Sequence, residues 1–133
     1  MYAVFYLHSL TEILAFFQDV IPIHMFDAED LIVPLEFTQY GATQSAIFDP
    51  EMQELFSKPI AYNHHTGGVL AEPFKADPAI NDMFEITSIN HDRKGKEFVS
   101  SLEARDFDTY PFFGVSFSES SSTSYFYCSA CIL

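Results

Sequence analysis

The chemistry-bearing residues of this chain are few and grouped. Asn63-His64-His65-Thr66-Gly67-Gly68 joins an amide and two imidazoles to a pair of glycines. Imidazole changes charge near neutral pH, so it can move a proton or ligate a metal. The glycines would let the backbone come close to a bound molecule. The segment therefore suits one wall of a small-molecule site, and it equally suits a loop with two solvated histidines. His64, His65 and His91 follow no standard zinc spacing, so no metal site is expected. Cys128-Ser129-Ala130-Cys131 has the Cys-x-x-Cys spacing of redox motifs and zinc half-sites. It stands in an apolar tail instead of at a helix start, and a zinc ion would need two more ligands. The role of Cys128 and Cys131 stays open, and no cofactor is implied.

The bulk composition narrows the class of partner. The chain has 133 residues, 48% hydrophobic and 17% aromatic, with fifteen Phe, seven Tyr and no Trp. That is enough for one domain with a bulky aromatic core, and it argues against a disordered chain. The formal net charge is −13, and no Lys or Arg precedes Lys58. Such a surface repels phosphate backbones, which argues against nucleic-acid binding. No stretch approaches the length of a membrane span. The start, Met1-Tyr2-Ala3-Val4-Phe5-Tyr6-Leu7-His8, is apolar but lacks a basic region and a clear cleavage site, so it reads poorly as a signal peptide.

Several elements are legible. Ser9-Leu10-Thr11-Glu12 is a capping-box pattern, and Leu10, Ile13, Leu14 and Phe17 follow at helical spacing. A helix is expected over about 10–18. Leu31 to Phe37 is rich in strand formers, but Pro34 demotes it to an edge or to two short pieces. Asp49-Pro50-Glu51 and Asp77-Pro78 each open a helix, because Asp caps and Pro is tolerated at the first helical position. Phe84–Ile89 and Glu97–Leu102 flank Asp92-Arg93-Lys94-Gly95-Lys96 and predict a β-hairpin. Phe112 to Phe117 reads as a third strand, apolar enough to be central. From Ser118 the chain turns Ser-rich and then apolar, which reads as a linker and a tail.

The motifs in this order resemble the C-terminal half of the γ-glutamyl hydrolase (folylpolyglutamate hydrolase) family, within the class I glutamine amidotransferase-like superfamily. Val33-Pro34-Leu35-Glu36-Phe37-Thr38 is similar to the family's Pro-Leu-(Asn/Glu)-Phe-Thr segment. Pro59-Ile60-Ala61-Tyr62-Asn63-His64-His65 is similar to its strand ending in Asn-x-His. Phe84 to Ser101 is similar to its strand-turn-strand, and Tyr110-Pro111-Phe112-Phe113-Gly114-Val115-Ser116-Phe117 to its Tyr-Pro-x-x-Gly-Val-Gln-(Phe/Trp) strand. The resemblance runs from about Ile32 to Phe117. It implies an α/β fold: a partial flavodoxin-like sheet with a C-terminal β-hairpin and a central strand. It divides the chain into residues 1–117, the family-like part, and 118–133, of unknown role.

The resemblance also implies a mechanism, and the chain departs from it. In the family a cysteine attacks the γ-glutamyl amide carbonyl, a histidine activates the thiol and protonates the leaving amine, and a Glu orients the histidine. Here the histidine position maps to Ser118, the Glu position to Ser120, and one register puts Tyr6 near the nucleophile position. A phenol with an ordinary pKa near ~10 is a poor substitute for a thiol. Asn63 and His65 keep the family's substrate-side identities. The expectation is a family member, truncated or frame-shifted in this form, without hydrolytic activity; the alternative is a non-catalytic binding or structural subunit. A γ-glutamyl small molecule is the implied ligand, and self-association or a protein partner would cover the incomplete sheet. Family members are vacuolar, lysosomal or secreted.

Overall fold

The computed structural model describes residues 6–9, 24–116 and 118–119. The helix expected over 10–18, Ser120 and the Cys-x-x-Cys pair lie outside them. Among the described residues eight strands and four helices follow in chain order: β1 (Tyr6–Ser9), β2 (His24–Val33), β3 (Glu36–Phe37), α1 (Gln39–Thr43), α2 (Pro50–Phe56), β4 (Ala61–Gly68), α3 (Ala71–Ala76), α4 (Pro78–Met83), β5 (Phe84–His91), β6 (Glu97–Ala104), β7 (Phe112–Val115) and β8 (Ser118–Glu119). They form a five-stranded sheet, β1-β7-β6-β5-β3, and a three-stranded sheet, β2-β4-β8. The fold is mixed α/β. Among the described residues only β1 and β7 pair parallel; the other pairings are antiparallel. None of the described helices is long and apolar enough to cross a membrane.

The helix starts follow from local chemistry. The Asp49 carboxylate accepts from the Met52 N–H at 2.8 Å, and the Asp77 carboxylate from the Ile80 N–H at 3.0 Å. Each satisfies an orphan donor of the first turn, with Pro in the next position. Thr38 does the same for α1, accepting from Gly41 N–H at 3.0 Å while its hydroxyl donates to Ile86 O at 2.7 Å. That second bond ties α1 to β5 so closely that a Cβ on Gly41 would stand 1.9 Å from the Thr87 carbonyl oxygen. Only glycine fits there.

The β5–β6 hairpin forms where its sequence predicts. Gly95 takes φ +78° in the turn, the left-handed region that other residues enter at a cost. Asp92 organises the tip: its carboxylate accepts from the backbone N–H groups of Lys94 and Lys96 at 2.9 and 2.8 Å, and from Asp27 N–H of β2 at 2.9 Å. Arg93 adds an ion pair to Asp27 at 3.2 Å, and the Lys96 ammonium lies 4.6 Å from the centre of the Phe26 ring. The hairpin tip is thus fastened to the three-stranded sheet.

Three apolar clusters hold the layers. Val69, Phe74, Ile80, Ile86, Val99 and Leu102 pack α3 and α4 on one face of the large sheet. Phe48 centres the second cluster, edge-on to Phe37, Phe56 and Phe113 at 4.9, 5.9 and 5.5 Å. Phe26, Ala28 and Phe98 join the two sheets. The aromatic core expected from composition is present.

Pro34 does split its run in two, with the halves in different sheets: Val33 ends β2, paired to Ala61, and Glu36-Phe37 pairs with β5. β2 extends further back than its sequence suggests, through Asp27, Glu29 and Asp30. Two register irregularities absorb these poor strand formers, and Asp30 takes φ +52°. β7 ends at Val115, and Ser116 lies outside it; Phe117 of the expected strand is outside the described residues.

Candidate functional site

β4 builds the site. A strand sends alternate side chains to opposite faces, so Asn63 and His65 share one face and Tyr62 and His64 the other. The His-Gly-rich segment is strand through Gly68. Asn63 is fully buried. Its amide donates to Leu31 O of β2 at 3.3 Å, and its Oδ1 lies 3.1 Å from His65 Nε2. His65 Nδ1 lies 3.1 Å from Gly67 O, and the ring meets Phe98 edge-on at 5.1 Å. Burial lowers the His65 pKa below its ordinary 6.5, and the Gly67 carbonyl opposes that shift.

On the opposite face, the exposed Asp30 carboxylate accepts from the Tyr62 hydroxyl and lies 3.3 Å from His64 Nδ1. The Tyr62 and His64 rings stack at 6.0 Å. The phenol hydrogen bond, and then His64, hold the Asp30 carboxyl below its usual 3.8. His64 and His65 therefore point apart, and His91 pairs with Glu36 at 3.1 Å on the other sheet. Among the described residues no three His, Cys, Asp or Glu side chains are placed to hold a metal ion.

The positions expected to carry catalysis divide between the sheets. Ser118 opens β8 opposite Tyr62 of β4, one residue from Asn63. Tyr6 opens β1 opposite Phe112 of β7. Ser118 thus lies on a strand that pairs with the Ala61–Tyr62 end of β4, whereas Tyr6 belongs to the five-stranded sheet. β7 and β8, two residues apart in sequence, belong to different sheets.

Comparison with known proteins supports the resemblance over part of the chain. No family profile matches the chain. It is 32% identical to γ-glutamyl hydrolase B of Dictyostelium discoideum over 89 residues, 64% of this chain and 25% of that protein. It is 30% identical to γ-glutamyl hydrolase 1 of Arabidopsis thaliana over 93 residues, 67% of this chain and 26% of that protein. About two thirds of this chain is γ-glutamyl hydrolase-like. The chain spans about a quarter of the length of the curated relatives it matches.

The γ-glutamyl hydrolase-like chain also holds a carboxylate that its sequence gave no reason to single out. Glu103 of β6 is fully buried. It accepts from the Tyr40 hydroxyl at 3.0 Å, Ser45 Oγ at 2.8 Å and Ala46 N–H at 3.0 Å. Burial and the Glu103 carboxylate push the Tyr40 phenol up to about 12. The three donors satisfy an anion without a cation and pin the 40–46 segment against the sheet. In the sequence Glu103 reads as one more acidic residue in a Ser-rich strand. Its one trace is that it breaks the apolar pattern at a position whose neighbours Leu102 and Ala104 face the opposite side.

Proposed function

We propose that this chain is a γ-glutamyl hydrolase-family protein that binds γ-glutamyl compounds and does not hydrolyse them, on a scaffold of the flavodoxin-like kind. The observation that carries the reading is the placement of Ser118. The residue at the position of the family's catalytic histidine runs beside the strand bearing Asn63 and His65. A serine hydroxyl there can neither take the proton of a nucleophile nor return it to a leaving amine near neutral pH. Tyr6, in the nucleophile register, offers a phenol in place of a thiolate. Restoring one member of such a set recovers little, because the members act as a unit. What stays is a wall made by Asn63, His65 and the Gly67-Gly68 backbone on β4.

Calorimetric titration with a γ-glutamyl dipeptide tests binding. Heat of binding is expected for the wild-type chain and a loss of at least about tenfold in affinity for His65→Ala, roughly the worth of one charged hydrogen bond. Equal affinity in both proteins would remove His65 from the site.

A second reading, a structural subunit, is favoured by β2. Among the described residues this strand pairs only with β4, and it presents Met25 and Ile32, 70% and 47% exposed. Unpaired strand edges and exposed apolar side chains are surfaces that proteins ordinarily cover.

A further inference from the structure

The cations of this acidic chain gather at one place. Arg93, Lys94 and Lys96, on the tip of the β5–β6 hairpin, are three of its six Lys and Arg. An open cleft of about 580 Å³ lies between that tip and the start of β2. Met25, Phe26, Asp27, Asp92, Lys94 and Lys96 line it.

The charges of the cleft are unequally engaged. Asp92 accepts from three backbone N–H groups, and Asp27 is paired with Arg93 at 3.2 Å. Both carboxylates are therefore occupied. The Lys96 ammonium has three N–H groups, of which one goes to Met25 O at 3.0 Å, and it lies 4.6 Å from the centre of the Phe26 ring. Among the described residues neither Lys94 nor Lys96 makes an ion pair. The cleft thus joins two ammonium groups to an apolar side made by Phe26 and the exposed Met25.

The cleft adjoins the wall on β4. Met25 of β2 is the register partner of Gly67, and His24 of Gly68; paired strands run about 5 Å apart. A line of ring contacts connects the same two places. The His65 ring meets Phe98 at 5.1 Å, Phe98 meets Phe26 at 5.4 Å, and Lys96 stands over Phe26.

We propose that Lys96, with Lys94, takes the carboxylates of an acidic tail on a γ-glutamyl ligand whose amide lies on the His65–Gly67 wall. The inference rests on the reading that the chain binds γ-glutamyl compounds, and it adds the residues that favour an acidic tail over a neutral one. Charge complementarity carries it. The net charge of −13 opposes a polycarboxylate on average, so binding needs a local field of the other sign. Lysine suits a flexible acidic tail, because its ammonium is a point charge with rotatable donors on a flexible stem. Arg93 takes no part, since Asp27 and Asp30 O hold its guanidinium.

Calorimetric titration of the wild-type chain with γ-glutamylglutamate and with γ-glutamylglutaminamide, which has the same length and a neutral tail, tests the inference. The acidic tail should bind about three- to tenfold more tightly, and added salt should shrink that difference. Lys96→Gln should weaken the acidic ligand to the level of the neutral one and leave the neutral one unchanged. Equal wild-type affinities for the two ligands would overturn the inference and leave the wall on β4 as the binding site. A tail preference that persists in Lys96→Gln and in Lys94→Gln would overturn it as well. Heat with neither ligand would overturn both the inference and the reading beneath it. The wild-type comparison decides without any variant, so it does not depend on how Lys96→Gln folds.

Discussion

Glu103 and Tyr40 are the residues whose chemistry most directly supports the sheet beneath the site. The carboxylate holds three donors in a dry setting, so removing its charge leaves donors without a full acceptor. Glu103→Gln should destabilise the fold by about 1–3 kcal/mol, read from urea unfolding. Tyr40 supplies a pH signature. Its pKa rises from 10.0 to about 12 in the folded chain, so the folded state favours the protonated phenol. The stabilisation is complete below pH 10 and is lost as pH rises through about 12. Unfolding curves across that window should show an alkaline loss of stability that Tyr40→Phe diminishes. An unchanged alkaline profile in the variant would place the Tyr40–Glu103 contact elsewhere.

At the scale of elements, the hairpin tip carries the two sheets' connection. Asp92 accepts three backbone N–H groups, one of them from β2. Burial pushes its carboxyl upward, but these bonds outweigh it and hold the pKa below 3.8. The Asp92 contribution is therefore present above pH 3.8 and lost as pH falls below it. Asp92→Ala should cost about 2–4 kcal/mol at neutral pH, and it should raise hydrogen exchange in β2 as well as in the hairpin. Exchange raised in the hairpin alone would show that the tip does not fasten β2. The hairpin, the two Asp-Pro helix starts and the split at Pro34 were legible in the sequence because each rests on one residue's local chemistry. α3 was not: Leu70 gives it no side-chain cap, and Pro73 lies inside it. β2 was hidden because strand pairing and two irregularities, both nonlocal, carry its acidic residues. Asn63 and His65 were legible as a pair through family resemblance. Asp30 and Glu103 gave no local signal, since their partners lie about thirty to sixty residues away in sequence.

At the scale of the whole molecule, the likeness to γ-glutamyl hydrolases covers part of the chain. About two thirds of the chain is γ-glutamyl hydrolase-like, and the strand with Asn63 and His65 lies beside β8. In the proposed reading the family's catalytic positions are held by Tyr6, Ser118 and Ser120. If the exposed face of β2 docks a second copy, size-exclusion chromatography with light scattering will show a dimer that Ile32→Lys dissociates; a compact monomer at all concentrations would exclude that use of the scaffold. The central claim is that this chain binds γ-glutamyl compounds without cleaving them. Incubation of the purified chain with a γ-glutamyl-linked fluorogenic substrate tests it most directly, with binding measured in the same samples by fluorescence anisotropy. The account predicts saturable binding and no release of fluorophore above the uncatalysed rate. Turnover in the ~1–1,000 s⁻¹ range of ordinary enzymes would contradict it.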